Sequence, residues 1–202
     1  MDSPLLRRLL VAAAILCVLV TAGLIGRLWW LAGTQDTPSA ALAAAIGGPF
    51  RMTDHNGRAV TDADFRGRPM IVYFGYTYCP DVCPTGLQTL AAALDLLGDD
   101  AARVWPVFVT VDPERDTVAQ MKDYVAAFHP RLIGLTGTIE QVRDIARAYR
   151  VYFRKVTPEG STDYLVDHSA AFYVMGKDGA FASHLTHQAT PEAIAARLRT
   201  LL

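Results

Sequence analysis

Two cysteines with three residues between them, Cys79 and Cys83, are the side chains in this sequence best suited to chemistry. They lie in the segment YFGYTYCPDVCPT, directly after an apolar run. Two thiols at this spacing could form a disulfide, exchange with other thiols, or bind a soft metal ion. A disulfide between them would close a very short loop and would constrain the unfolded chain only weakly. We therefore expect a chemical role for this pair, and we expect Cys17, in an apolar N-terminal segment, to be inert.

The neighbouring elements place both thiols at the start of a helix. The run PMIVYFGYT, residues 69–77, predicts a strand buried on both faces. Leucines at helical spacing predict a helix from Pro84 to Leu97, with Pro84 as its first residue and Gly98 as its stop. The positive end of such a helix favours thiolate over thiol. Residues four apart share one side of a helical turn, so both sulfurs can face one ion, and two thiolates suit Cu(I) and can also bind zinc.

The rest of the domain alternates buried strands with amphipathic helices, which predicts an α/β sheet with helices on both faces. Asn56-Gly57 and Lys177-Asp178-Gly179 predict hairpin turns, and Thr190-Pro191 predicts the start of the last helix. Further strands are predicted over residues 104–112, LIGLTG, VYFRKV and AAFYVM, with helices from Asp116 or Thr117 to about Phe128 and over Ile139–Tyr149. A strand, a cysteine motif, a helix, a strand, and later a hairpin and a helix form the order of a thioredoxin-like fold.

A metal bound by the two thiols needs at least one more donor, and His168 is the strongest candidate. It lies in VDHS, directly before the predicted strand AAFYVM. In a thioredoxin-like sheet the loop entering that strand faces the cysteine turn, where relatives of thioredoxin commonly have a proline. No proline occurs from Leu165 to Phe172, so we interpret His168 as a nitrogen ligand. The alternative is a solvated histidine or one whose hydrogen bonds are satisfied in the core. We expect His184 and His187 to be surface residues, and His55 and His129 lie beside turn signals with nothing that favours a role in the site.

The N-terminal segment predicts a membrane anchor. Roughly 18 residues from Leu9 to Gly26 carry no charge, which is near the minimum for a spanning helix. Trp29 and Trp30 suit an interfacial aromatic belt, and the early arginines favour a cytoplasmic N-terminus. We expect a short cytoplasmic N-terminus over residues 1–8, a transmembrane anchor over 9–31, a tether over 32–48 and the folded domain over 49–202, on the periplasmic side of the inner membrane. A cleaved signal peptide is the alternative.

Composition excludes one class of partner. The formal net charge is -1, and the basic residues are scattered along the chain. Because no basic run forms an electrostatic footprint, we expect no binding to nucleic acid.

Three separated motifs resemble the Sco/SenC family of membrane-anchored copper proteins: YFGYTYCPDVCPT, VTVDPERDT and YLVDHSAAFYV. The resemblance implies a thioredoxin-like domain that binds one copper ion, as Cu(I) or Cu(II), through Cys79, Cys83 and His168. It also implies a role in assembling the binuclear copper (CuA) site in subunit II of cytochrome c oxidase. Other periplasmic copper carriers and thiol reductases are further expected partners.

Two enzymatic alternatives to a metallochaperone stay open at this point. A thiol-disulfide oxidoreductase acting on the CuA-site cysteines would need Cys79 and Cys83 but not His168. A peroxidase of this fold usually needs a threonine and an arginine around a single attacking cysteine. Thr77, two residues before Cys79, supports this interpretation only weakly, so a peroxidase is disfavoured. The roles of Asp81, Asp112, Asp116 and Asp167 also stay open, and the motif DPERDT could either cap a helix or line the rim of the metal site.

Overall fold

In the computed structural model, the backbone is described for residues 4–33 and 46–202, and the side chains for residues 13–28 and 46–202. The chain divides into two compact units, Met1–Ala41 and Leu42–Leu202. The described part of the first unit is helix α1 (Pro4–Gly33). Among the described residues, no helix is long and apolar enough to cross a membrane. The tether predicted over residues 32–48 lies mostly outside the described residues, and the anchor over 9–31 stays a prediction.

The second unit is built on a mixed sheet of seven strands in the described residues. The strands are β1 (Arg51–Asp54), β2 (Ala59–Thr61), β3 (Met70–Gly75), β4 (Trp105–Thr110), β5 (Ile133–Thr136), β8 (Ala171–Met175) and β9 (Phe181–Thr186). Their order in the sheet is β2-β1-β5-β4-β3-β8-β9. The three central strands β3, β4 and β5 run parallel, and β8 pairs antiparallel to β3 and to β9. The predicted thioredoxin-like fold is confirmed.

Helices cover both faces of this sheet, as predicted. They are α2 (Val82–Leu97), α3 (Val118–Ala126), α4 (Ile139–Ala148) and α5 (Pro191–Arg199). Every side chain of β3 is buried, and successive residues alternate between two cores. Ile71 and Tyr73 pack with the leucines of α2 on one face, while Val72 and Phe74 pack with α4 on the other. Burial on both faces is the reason that the apolar run of β3 is continuous instead of alternating.

A separate two-stranded ribbon stands beside the sheet, and here the sequence-based prediction is wrong. The ribbon pairs β6 (Phe153–Val156) with β7 (Leu165–His168). We predicted a loop before the strand AAFYVM, but four of those residues pair with β6, and His168 ends β7 opposite Phe153. The strand predicted from VYFRKV is β6, which contributes to the ribbon and not to the main sheet.

Candidate metal centre

Both cysteines lie where β3 passes into α2. Cys79 is half-buried, and its backbone N–H donates to the carbonyl of Tyr76 over 3.2 Å. Helix α2 begins at Val82, two residues earlier than predicted, so buried Cys83 lies within its first turn. A Cβ atom at Gly75 would lie 2.5 Å from the sulfur of Cys83, so the close approach of Cys83 to the end of β3 requires glycine there.

His168 completes the group from the end of β7. Its Nε2 lies 3.3 Å from the sulfur of Cys83. On the other side of the ring, Nδ1 lies 3.2 Å from the carbonyl oxygen of Ser169, which can only accept a hydrogen bond. Nδ1 therefore carries a hydrogen, and when the ring is neutral Nε2 presents a lone pair toward the cysteines. This is the tautomer that a metal ligand requires.

The ligand atoms of Cys79, Cys83 and His168 all lie within 4.8 Å of one another. Cys83 forms the buried side of this group, whereas Cys79 and His168 are half-buried. Tyr78 and Pro80, which flank Cys79, are both exposed. The group is thus open to a partner from the side of Cys79.

The two thiols differ strongly in acidity. The hydrogen bond from the Cys83 thiol lowers the pKa of Cys79 to about 4, against the opposing effect of burial. The backbone N–H groups of Asp81 and Cys83 add to this lowering. The same hydrogen bond, together with burial, raises the pKa of Cys83. Without a metal the pair thus holds one proton at neutral pH, with Cys79 as the thiolate.

The buried carboxylate of Asp116 holds the segment that leads into the cysteine loop through hydrogen bonds with Thr77. Asp116 is fully buried and accepts hydrogen bonds from the Thr77 backbone N–H at 3.0 Å and the Thr77 hydroxyl at 2.6 Å. It also accepts one from the Thr110 hydroxyl at 2.6 Å. Burial raises the pKa of Asp116 despite these donors.

Of the two proposed caps of α3, Thr117 is the one observed, since its side chain accepts a hydrogen bond from the N–H of Gln120. The Thr77 hydroxyl, which was the main support for a peroxidase, donates its hydrogen bond to Asp116.

A second buried carboxylate connects β4 to the ribbon. Asp112 accepts hydrogen bonds from Arg115 Nε at 2.5 Å and from the Tyr164 hydroxyl at 2.9 Å. Arg115 also donates to the Tyr164 carbonyl at 3.0 Å, and its guanidinium lies 3.8 Å from the centre of the Tyr164 ring and 4.8 Å from that of Tyr78. Asp112 and Asp116 are therefore internal supports and not rim residues. Within DPERDT, Glu114 is exposed and pairs with Lys155 over 2.6 Å.

The other candidates lie apart from the three ligand atoms. His184 and His187 are exposed, as expected, and His55 Nδ1 accepts from the Gly134 N–H at 3.1 Å. His129 faces Asp95. Asp167, which we considered as a partner of His168, pairs instead with Arg154 across the ribbon at 3.6 Å. Asp81 precedes α2 and is exposed.

The residues that hold the ligands in place were missed by the sequence analysis. Tyr76 and Arg115 act through contacts with residues 90 and 49 positions away, and Thr77 acts through a carboxylate 39 positions away. Gly75 acts through its close contact with Cys83 across the turn into α2. The motif DPERDT was the available signal for Arg115. No local pattern distinguishes Tyr76 from Tyr73 and Phe74 in the strand before it.

The fold and this group of side chains define a thioredoxin-like domain whose two cysteines and one histidine converge at a helix N-terminus. The family model described as SCO1/SenC matches residues 38–202, and the chain belongs to the SCO1/SenC family. It is 44% identical over 203 residues to the mitochondrial protein SCO2 homolog of Bos taurus, covering 95% of this chain and 74% of that protein. The chain spans less than two thirds of the length of several other curated relatives.

Solved structures give the same result. The structure of Bradyrhizobium japonicum ScoI with copper bound is 48% identical in sequence, with a TM-score of 0.73, and the match covers 78% of this chain and all of that one. BsSco, described as a member of the Sco family of cytochrome c oxidase assembly proteins, is 22% identical with a TM-score of 0.62. That match covers 78% of this chain and 94% of BsSco, and it supports the fold alone.

Proposed function

We propose that this protein binds copper through Cys79, Cys83 and His168 and assists assembly of the CuA site in subunit II of cytochrome c oxidase. The observation that carries the proposal is the convergence of the three ligand atoms within 4.8 Å, from segments 85 residues apart. Copper is the cargo in this account and not a catalytic cofactor.

The donor set suits copper in both oxidation states. Two thiolates and one imidazole match the preference of Cu(I) for soft ligands and low coordination numbers. Cu(II) would take a further oxygen from water or a carboxylate. The match to a ScoI protein solved with copper bound supports the same assignment.

The geometry also suggests how copper is loaded and released. Cys79 is the accessible thiolate, so a partner's thiolates can replace the ligands stepwise from its side. Oxidation of Cys79 and Cys83 to a disulfide would remove two of the three donors. The metal-free pair would give two electrons to an external oxidant and release the one proton held by Cys83. Loading therefore requires the reduced pair.

The acidic, accessible Cys79 supports a second candidate function, thiol-disulfide exchange on the CuA-site cysteines. Its thiolate would attack a target disulfide, release one target thiolate and form a mixed disulfide. Attack by Cys83 on Cys79 would then release the second target thiolate and leave a Cys79–Cys83 disulfide. A thiol reductase would have to restore the reduced pair.

We propose that the domain works on the periplasmic side of the inner membrane, held by an N-terminal anchor. The charge-free stretch from Leu9 to Gly26, with Trp29 and Trp30 after it, supports this placement. Cytochrome c oxidase subunit II would then be reached from the same side.

Complementation of a strain that lacks this protein separates the two candidate functions. We expect His168→Ala to fail to restore oxidase activity, as Cys79→Ser fails, while His187→Ala restores it fully. His187 is exposed and lies outside the group of three ligand atoms, which makes it the matched histidine control. If His168→Ala restores the oxidase as well as the parent, thiol exchange is the main function.

A further inference from the structure

Tyr76 contacts two of the three proposed ligands, Cys79 and His168. It follows β3 directly and is almost completely buried, with 2% of its surface exposed. Its backbone carbonyl accepts the N–H of Cys79 over 3.2 Å. This main-chain contact places the cysteine loop against the end of the strand.

The side chain of Tyr76 reaches the other half of the site. Its hydroxyl accepts a hydrogen bond from the backbone N–H of Val166 over 3.2 Å, across 90 positions in the sequence. Its ring meets the His168 ring edge to face, with 5.8 Å between centroids and an angle of 88°. Val166 lies two residues before His168 on β7 and is itself buried. The phenol therefore contacts both the ligand and the strand that carries it.

The attachment matters because, in the part of the chain that the structure describes, no strand ladder holds the ribbon to the main sheet. Within the described residues, β6 and β7 pair with each other and share no strand ladder with the seven-stranded sheet. The position of β7 is therefore set by side-chain contacts together with the short link from His168 to β8. Tyr76 acts closest to the ligand, whereas the contacts of Asp112 and Arg115 reach the ribbon at Tyr164, four residues before His168.

We propose that Tyr76 is a positioning residue, whose hydroxyl fixes β7 at Val166 and so holds His168 Nε2 within reach of the cysteine sulfurs. The inference rests on the proposed function insofar as His168 is taken as a ligand. The attachment of the ribbon, however, is a property of the metal-free protein. The Tyr76 hydroxyl does not bind the metal. It affects metal affinity because it fixes the strand that carries the His168 ligand.

The test is Tyr76→Phe, which keeps the ring and removes the one acceptor of the buried Val166 N–H. Tyr149→Phe is the matched control. Tyr149 is equally buried in the same core, and its ring packs on Phe74 and Tyr173. Nuclear magnetic resonance of the metal-free protein follows amide exchange at Val166 and the ring resonances of His168. Competition titration then measures Cu(I) affinity, and thermal unfolding measures stability.

For Tyr76→Phe we expect amide exchange at Val166 about tenfold faster or more, and displaced His168 ring resonances. We also expect Cu(I) affinity about 10–100-fold below that of Tyr149→Phe, at a similar melting temperature. Unchanged exchange at Val166, or a Cu(I) affinity equal to that of Tyr149→Phe, would overturn the proposal. A parent protein that binds no copper would instead overturn the proposed function. In that case the Val166 exchange rate and the His168 resonances still decide whether Tyr76 positions the ribbon.

Discussion

The Nε2 of His168 lies 3.3 Å from the sulfur of Cys83, although 85 residues separate the two in sequence. Cys83 is fixed in the first turn of α2, and His168 ends a ribbon that is outside the main sheet. The complete donor set therefore exists only when the ribbon is docked on the cysteine loop. Copper that binds all three ligands should stabilise this docked state, because binding to the folded form alone adds to its stability.

Removal of the imidazole should weaken copper binding without disturbing the fold. We expect His168→Ala to lower Cu(I) affinity by about tenfold or more, because only two thiolates remain. The His168 ring is only half-buried, so we expect the circular dichroism spectrum to match that of the parent. Anaerobic competition with a Cu(I) chelator measures the affinity, with His187→Ala as control. Equal affinities for His168→Ala and the parent would remove this histidine from the site.

The acidity of Cys79 predicts a distinctive pH profile for alkylation of the reduced, metal-free protein. Because the pKa of Cys79 is lowered to about 4, its thiolate persists as the pH falls below neutral. The rate should decline only as the pH approaches that value. Mass spectrometry of iodoacetamide adducts assigns the reactive cysteine. Cys83→Ala removes the main hydrogen-bond donor, so its profile should move toward the ordinary thiol range. A parent profile centred near pH 8 to 9 would contradict the account.

The contact between Gly75 and Cys83 can be tested by adding one methyl group. A Cβ at position 75 would lie 2.5 Å from the Cys83 sulfur and 2.8 Å from the Phe108 ring. We expect Gly75→Ala to cost about 1–3 kcal/mol of unfolding free energy, as overpacking does in a tight core. Denaturant titration measures the cost.

Cys83→Ala provides the second arm of a double-mutant cycle, since it removes the sulfur. Gly75→Ala should cost less in the Cys83→Ala background, with a coupling energy of about 0.5 kcal/mol or more. Additive effects would mean that the sulfur does not determine the need for glycine.

The hydroxyl of Thr77 is predicted to stabilise the cysteine loop through Asp116. Thr77→Val leaves one oxygen of this fully buried carboxylate without its donor. We expect a loss of about 1–3 kcal/mol of unfolding free energy. The control is Thr89→Val on α2, where the exposed hydroxyl bonds only to a carbonyl of its own helix, and which should change stability by about 0.5 kcal/mol or less. Equal effects of the two substitutions would argue against a structural role for the Thr77–Asp116 contact.

Much of the fold could be predicted from local patterns. The apolar run of β3, the leucine spacing of α2 and the Thr190-Pro191 start of α5 are each readable within a dozen residues, and all three match the structure. Strand β7 could not be read in this way. Only Val166 of its four residues is buried, so LVDH carries no apolar period, and its pairing with β6 depends on contacts across the intervening turn.

The same distinction applies to the candidate site. The two cysteines could be proposed as ligands from their spacing, and His168 from its place before a predicted strand. The residues that hold these ligands in place could not be predicted in this way. Asp116, Asp112 and Tyr76 act through hydrogen bonds that span from 39 to 90 positions in the sequence. Asp112 and Asp116 look like surface charges in the sequence but are fully buried. Carboxylates are rarely buried unless paired, and here each is paired with donors that only the folded chain supplies.

X-ray absorption spectroscopy of the protein loaded with one equivalent of Cu(I) tests the central claim most directly. We predict a first coordination shell of two sulfur atoms and one nitrogen, with the imidazole scattering lost in His168→Ala and one sulfur lost in Cys79→Ser. A shell of sulfur atoms alone in the parent protein, unchanged by His168→Ala, would contradict the three-ligand site.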